Sequence, residues 1–176
     1  MMSKLLIVVD YQKDFVDGSL GFPGAAALEQ PIAEKIDAYH RAGDTVAFTL
    51  DTHDESYLDT QEGRHLPILH TVRDTPGWAL FGKLGEARWG DDLCFIKSTY
   101  GSDSLFDYLR SHPYDQIELV GVVSFICVVS NAILAQVAQP ETPIVVDASC
   151  VAGGDAHLHN AALDVMEGLQ ITVTNR

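Results

Sequence analysis

The stretch Ile117-Glu118-Leu119-Val120-Gly121-Val122-Val123-Ser124-Phe125-Ile126-Cys127 runs from a β-branched segment, through a short turn, to a thiol that opens an apolar helix reaching about Gln139. A run apolar at odd and even positions alike marks a strand buried on both faces. Similar runs recur at Leu5 to Val9, Thr45 to Leu50, Leu93 to Ile96, Ile144 to Val146 and Ile171 to Thr174. Between most of them lie helical spacings: Ile32, Ile36 and Tyr39; Leu105, Tyr108 and Leu109; Leu158, Ala162, Val165, Met166 and Leu169. Gly43 stops the first helix and Asp155 caps the last. Buried strands alternating with helices predict an α/β fold, a three-layer α/β/α arrangement around a central, mostly parallel six-stranded sheet.

The 176 residues are expected to form a single domain over 1–176. With 47% hydrophobic and 20% charged residues, a core can offset chain entropy, which excludes general disorder. Eleven basic against twenty-five acidic residues give a net charge of -14, so phosphate backbones and anionic lipid surfaces are repelled, and neither nucleic acid nor membrane is an expected partner. Cys94, Cys127 and Cys150 are too few and too far apart for a disulfide framework or a zinc ribbon, so a reducing, cytoplasmic location is the default expectation. Leu5 to Val9 is too short for a signal sequence and reads as a strand. The apolar stretch Leu119 to Ala135, broken by Ser124, Ser130 and Asn131, reads as two core elements rather than a membrane span.

In open parallel sheets ligands bind at the carboxyl ends of strands. The residues ending the apolar runs are Asp10, Asp51, Lys97 and Asp147. Cys127, at a strand-turn-helix junction, is expected to have a lowered pKa because unpaired backbone N–H groups favour the thiolate. Asp10 can accept its proton and Lys97 can hold both charges, while the N–H groups of Val123 and Cys127 are candidates for stabilising an oxyanion. That set suits amide or acyl hydrolysis. Taken singly, each residue also fits a plainer role, the thiol as an inert core group and the acid and amine as solvated strand ends.

The segment from Asp51 to Asp91 lacks a convincing period, and loops this long in compact domains are usually functional. Asp51, His53 and, past the loop, His70 offer N and O ligands suited to one Zn, Mn or Fe ion, with Glu62 and His65 between them. His40, His112, His157 and His159 lack such partners and read as structural or surface residues.

Asp10-Tyr11-Gln12-Lys13-Asp14-Phe15 resembles the Asp-x-Gln-x-Asp-Phe opening of the isochorismatase-like cysteine hydrolases. Lys97-Ser98-Thr99-Tyr100 is similar to their Lys-x-x-Tyr, and Gly121 to Val128 to their Gly-x-x-Thr-x-x-Cys-Val. Asp51-Thr52-His53 and Leu66 to Gly77 are closest to the metal loop of the nicotinamidase/pyrazinamidase branch. The resemblance spans nearly the whole chain. It implies a triad of Asp10, Lys97 and Cys127 that forms a thioester and expels ammonia, with a cis peptide, here Val122-Val123, before the oxyanion turn. It implies metal ligands at Asp51, His53 and His70, with Glu62 as a fourth and His65 as its rival. It also implies a small-molecule amide substrate and a homo-oligomer. Thr52 and Leu66 stand where that branch has tryptophans and Thr71 where it has a cysteine, which leaves Phe15 and Tyr100 as the aromatic walls for substrate.

Competing readings are another hydrolase of a small amide or carbamoyl compound, a silent binding member of the fold, and a phospho-receiver domain, in which Cys127, His53 and His70 would have no task. Isochorismate hydrolysis is disfavoured because that branch lacks the cysteine. Cys127→Ala is expected to abolish ammonia release from an amide substrate while Cys94→Ala and Cys150→Ala retain it, as measured on the three purified variants.

Overall fold

The computed structural model describes residues 3–176. Strands β1 (Lys4–Val9), β2 (Thr45–Asp51), β3 (Leu93–Lys97), β4 (Gln116–Val122), β5 (Ile144–Ala152) and β6 (Thr172–Thr174) form one sheet in the order β3-β2-β1-β4-β5-β6. Every neighbouring pair is parallel, so the sheet is parallel throughout. The helices are α1 (Lys13–Val16), α2 (Glu29–Ala42), α3 (Gln61–His65), α4 (Leu84–Ala87), α5 (Asp103–Ser111), α6 (Val129–Ala138) and α7 (Ala156–Gly168). Among the described residues, no helix is long and apolar enough to cross a membrane.

The central strand β1 sends Leu5, Ile7 and Val9 to one face and Leu6 and Val8 to the other, all fully buried. On the first face they meet α5, α6 and α7 through Leu105, Leu109, Ala132, Ala135, Leu163 and Met166. On the second they meet Ile32, Ile36 and Tyr39 of α2. Each such buried Leu, Ile or Val contributes about 1.5–3 kcal/mol, which is why both faces must be covered. Gly43 ends α2 in the left-handed conformation at φ 74°, and the Asp155 carboxylate caps α7 by accepting from Leu158 N at 2.9 Å. At Gly121, φ is 112° and a Cβ would stand 2.1 Å from the Val9 carbonyl oxygen. Only glycine lets β4 pass so close to β1 at the sheet's carboxyl edge.

Two expectations are corrected. The segment between Asp51 and Asp91 is not structureless. It holds α3, α4 and 3₁₀ turns at Glu55–Asp59 and Pro76–Trp78, each too short to show a period. Strand β5 runs past Val146 to Ala152, so Asp147 lies within a strand rather than at its end. Its charge is accommodated by Lys35 of α2, whose ammonium lies 2.8 Å from Asp147 and 2.6 Å from Glu118, while Tyr39 Oη donates to Glu118 at 2.6 Å. Burial opposes ionisation of Asp147, yet hydrogen bonds from Lys35, Ser149 and Asn175 hold its carboxyl down at about 2.

Because that value lies below the ordinary 3.8, the stability contributed by Asp147 is complete above about pH 4 and is lost as pH falls through about 2. Lys35→Met leaves two buried acids without their cation and is expected to cost about 3 kcal/mol at pH 7 in urea unfolding. The deficit relative to the native chain should shrink below about pH 4, where protonation removes the stranded charges.

Candidate active site

The chain winds outward from β1 through β2 and β3 on one side, then crosses to β4 on the other side of β1 and continues through β5 and β6, and this reversal opens a crevice at the carboxyl ends of the central strands. Asp10 follows β1 at φ 45°, a left-handed conformation that Asp tolerates better than most residues. Its backbone N–H donates to Thr49 O at 3.2 Å, and the Thr49 hydroxyl donates to Oδ1 at 2.7 Å. Lys97 ends β3 with its ammonium 2.6 Å from Asp10 Oδ2 and 3.1 Å from Asp51 Oδ1. The same nitrogen donates to Thr99 O at 2.8 Å and reaches Cys127 Sγ at 3.5 Å. Asp10, Lys97 and Cys127 thus meet at three strand ends, and all three are buried.

The Val122-Val123 peptide is cis. Beyond it, Ser124–Val128 forms a wide π-helical turn continuous with α6. Cys127 is therefore inside the first turn of a helical stretch rather than at its opening, a correction to the expected turn-then-helix layout. Asn131 Nδ2 donates to Cys127 O at 2.8 Å and to Tyr100 O at 3.1 Å, and Asn131 Oδ1 accepts from Ser102 N at 3.0 Å. One buried amide so fixes the thiol's turn against the segment that follows Lys97.

The expected depression of the thiol pKa does not occur. Burial and the charge of Asp10 push the Cys127 thiol well above its ordinary value, against the pull of Lys97. Removing the thiol from water outweighs the backbone N–H effect. Burial also raises Asp10, opposed by Lys97 and supported by Asp51. For Lys97, burial works against the charge, but Asp10, Cys127 and Asp51 raise its pKa, so it stays an ammonium. A neutral thiol beside a carboxylate of raised basicity can lose its proton as the sulfur attacks, without a standing thiolate.

Beside this cluster, one ligand atom each from Asp51, His53 and His70 lies within 4.8 Å of the others. His53 follows β2, where its N–H donates to Thr71 O at 3.0 Å. His70 Nδ1 is 2.7 Å from Ile68 O, which leaves Nε2 turned toward Asp51 Oδ2 at 3.5 Å. The buried His53 Nε2 lies 3.0 Å from Asp51 Oδ2 without the alignment of a hydrogen bond, and no other described residue partners it. An orphaned imidazole nitrogen beside a carboxylate and a second oriented imidazole fits a divalent metal. Burial opposes the Asp51 charge, yet the neighbouring His53 and His70 imidazoles and the Lys97 ammonium hold its carboxyl far below the usual range. Glu62 stands outside this group of three. His65 is exposed on α3 with Nδ1 2.8 Å from Gln61 O.

A cavity of about 260 Å³ opens on both clusters, at the small end of ligand sites. Cys127, Asp51, His70 and Glu62 contribute polar lining, with Phe15 and Tyr100 as aromatic neighbours. Phe15 stands edge-on to His70 at 5.6 Å between ring centroids. Leu66 also lines the cavity.

Residues 4–176 match the model of the Isochorismatase domain family. The chain belongs to the isochorismatase family. The nicotinamidase/pyrazinamidase of Mycobacterium tuberculosis is 31% identical over 180 residues, covering 93% of this chain and 94% of that one. The pyrazinamidase/nicotinamidase structure from Streptococcus mutans superposes with a TM-score of 0.85 at 31% identity, covering 97% of this chain and 99% of that one. The fold is shared as well with a pyrazinamidase of Pyrococcus horikoshii in complex with zinc, with a TM-score of 0.86 at 24% identity and 99% coverage of both chains.

In this isochorismatase-family chain sequence reasoning singled out the two clusters, Asp10, Lys97 and Cys127 and Asp51, His53 and His70, but several of the groups that hold them in place were missed. Gln12 is fully buried. Its Oε1 accepts from Asp51 N at 2.8 Å, and its Nε2 donates to Asp51 O at 2.9 Å and Trp78 O at 2.8 Å. Tyr57 packs on both imidazoles, with ring centroids 4.5 Å from His53 and 4.8 Å from His70. Phe22 and Phe125 line the cavity. The one signal that could have found Gln12 is its place in the opening Asp-x-Gln-x-Asp-Phe motif; Tyr57 and Phe22 lie in short segments whose sequence carries no periodic signal.

Thr49→Val removes a hydrogen bond that favours ionised Asp10. The Asp10 pKa should rise further, so the acid limb of the kcat/KM profile for an amide substrate should move to higher pH by about half to one unit.

Proposed function

We propose that the protein hydrolyses nicotinamide, or a closely similar small ring carboxamide, to the acid and ammonia through a thioester on Cys127. The observation that carries this reading is the Lys97 ammonium in contact with Asp10, Asp51 and Cys127, beside the Asp51, His53 and His70 group on one cavity. Hydrolysis of amide carbon–nitrogen bonds is also the activity named for the relatives in Mycobacterium tuberculosis and Streptococcus mutans.

In this mechanism the Cys127 Sγ adds to the carboxamide carbon while its proton passes to Asp10. The Val123 and Cys127 N–H groups receive the oxyanion. Collapse expels the amine nitrogen, which takes the proton from Asp10 and leaves as ammonia. Water then attacks the thioester, again giving its proton to Asp10; the acid departs and that proton restores the thiol. Lys97 remains an ammonium throughout and keeps Asp10 from drifting to the neutral acid between steps. Phe15 and Tyr100 flank the ring.

Asp51, His53 and His70 would hold one divalent ion, zinc in our reading with manganese and iron as alternatives, and Glu62 is the candidate fourth ligand. Such an ion supplies a Lewis-acid anchor for a ring nitrogen or for an ordered water next to it. A second reading, another small amide or carbamoyl compound, draws support from Thr52 and Leu66, which leave the ring with fewer aromatic neighbours.

With zinc- or manganese-loaded protein, nicotinamide should be cleaved at least tenfold faster than benzamide in kcat/KM, because benzamide lacks the ring nitrogen. Chelation, His53→Ala or His70→Ala should remove both the bound metal and that preference. Equal rates for the two amides would overturn ring-nitrogen recognition, and cleavage of a carbamoyl compound alone would favour the second reading.

A further inference from the structure

Resting on the amidase reading, we infer that Phe22 and Phe125, each seated against one residue of the Gly153-Gly154 pair, form an apolar subsite that selects ring carboxamides bearing a small apolar substituent. The rings reach the cavity from separate places, Phe22 from the segment after α1 and Phe125 from the turn that carries Cys127. Leu20 and Ile126 line the same cavity.

The two glycines are needed for space rather than for backbone freedom. A Cβ on Gly153 would stand 2.4 Å from Phe125 Cε1 and 3.0 Å from Ser124 Oγ, and one on Gly154 would stand 3.2 Å from Phe22 Cβ. Neither residue adopts a left-handed φ. Any side chain at these positions would therefore drive a ring toward the cavity or against its neighbours. Gly154 lines the cavity itself, so the glycine pair sets where the aromatic wall stands.

The polar side chains of the lining are Asp51, Glu62, His70, Tyr100 and Cys127, none of which belongs to the Leu20, Phe22, Phe125 and Ile126 set. A ring substituent against that set meets only apolar side chains. A methyl group there gains burial, whereas a polar group loses hydration with no side-chain partner in return.

The metal-loaded protein is assayed with nicotinamide, its 5- and 6-methyl derivatives and the 5- and 6-amino counterparts. At least one methyl isomer should exceed nicotinamide in kcat/KM by about fourfold, the value for one buried carbon, and the amino isomer of the same position should fall below it. Gly154→Val, which crowds Phe22 and narrows the cavity wall, should lower the methyl compound more than nicotinamide and cancel its advantage. Methyl isomers no better than the parent, or an equal loss for both in Gly154→Val, would overturn the subsite. If no compound is hydrolysed, the amidase reading fails, and the subsite is decided by calorimetry: tighter binding of a methyl isomer than of nicotinamide, weakened by Gly154→Val, supports it, and equal binding overturns it.

Discussion

A single buried ammonium organises this molecule's carboxyl edge. Lys97 lies within hydrogen-bonding range of two carboxylates and a backbone carbonyl, with a thiol at 3.5 Å. These groups come from β1, β2, the segment after β3 and the turn after β4. Without the cation, two buried acids would face each other across a dry crevice, an arrangement that would cost several kcal/mol or force a proton onto one of them. The strand order β3-β2-β1-β4 brings the four contributors side by side, so the register of the sheet and the charge balance of the crevice are one constraint.

Around the cation, uncharged side chains carry out the positioning. Thr49 orients Asp10, Gln12 grips both backbone groups of Asp51, and Asn131 spans from the cysteine's turn to Tyr100 and Ser102. Thr71 donates its hydroxyl to Asp51 Oδ2 at 3.0 Å. Neutral hydrogen bonds fix geometry without adding to the charge that Lys97 must balance.

The fold was legible because each central strand is apolar on both faces and each major helix carries its own stop or cap, as Gly43 and Asp155 illustrate. Asp147 escaped because an acid at the end of an apolar run looks the same whether it closes a strand or sits inside one opposite a lysine from another element. Lys35 is more than a hundred positions away, and no local pattern announces the pairing. The thiol's ionisation was misjudged for a related reason: helix-end position is a local property, whereas burial and the charge of Asp10 depend on the assembled sheet. Motif and strand-end position singled out Asp10, Lys97 and Cys127, and Asp51, His53 and His70, and the structure brings each set together. Phe22, Tyr57 and Phe125 were not, since a loop aromatic shows its destination only when distant backbone, such as Gly153 and Gly154, leaves it room.

Asp51 divides its two oxygens between neighbours of different kinds. Oδ1 faces the Lys97 ammonium, while Oδ2 faces His53, His70 and the Thr71 hydroxyl. Anything that draws electron density toward Oδ2 weakens the hold of Oδ1 on Lys97, and a change in charge at Lys97 is returned to the imidazole side by the same amount of free energy. The two halves of the crevice are therefore reciprocally linked through one carboxylate, and neither can be retuned by substitution while the other stays as it was.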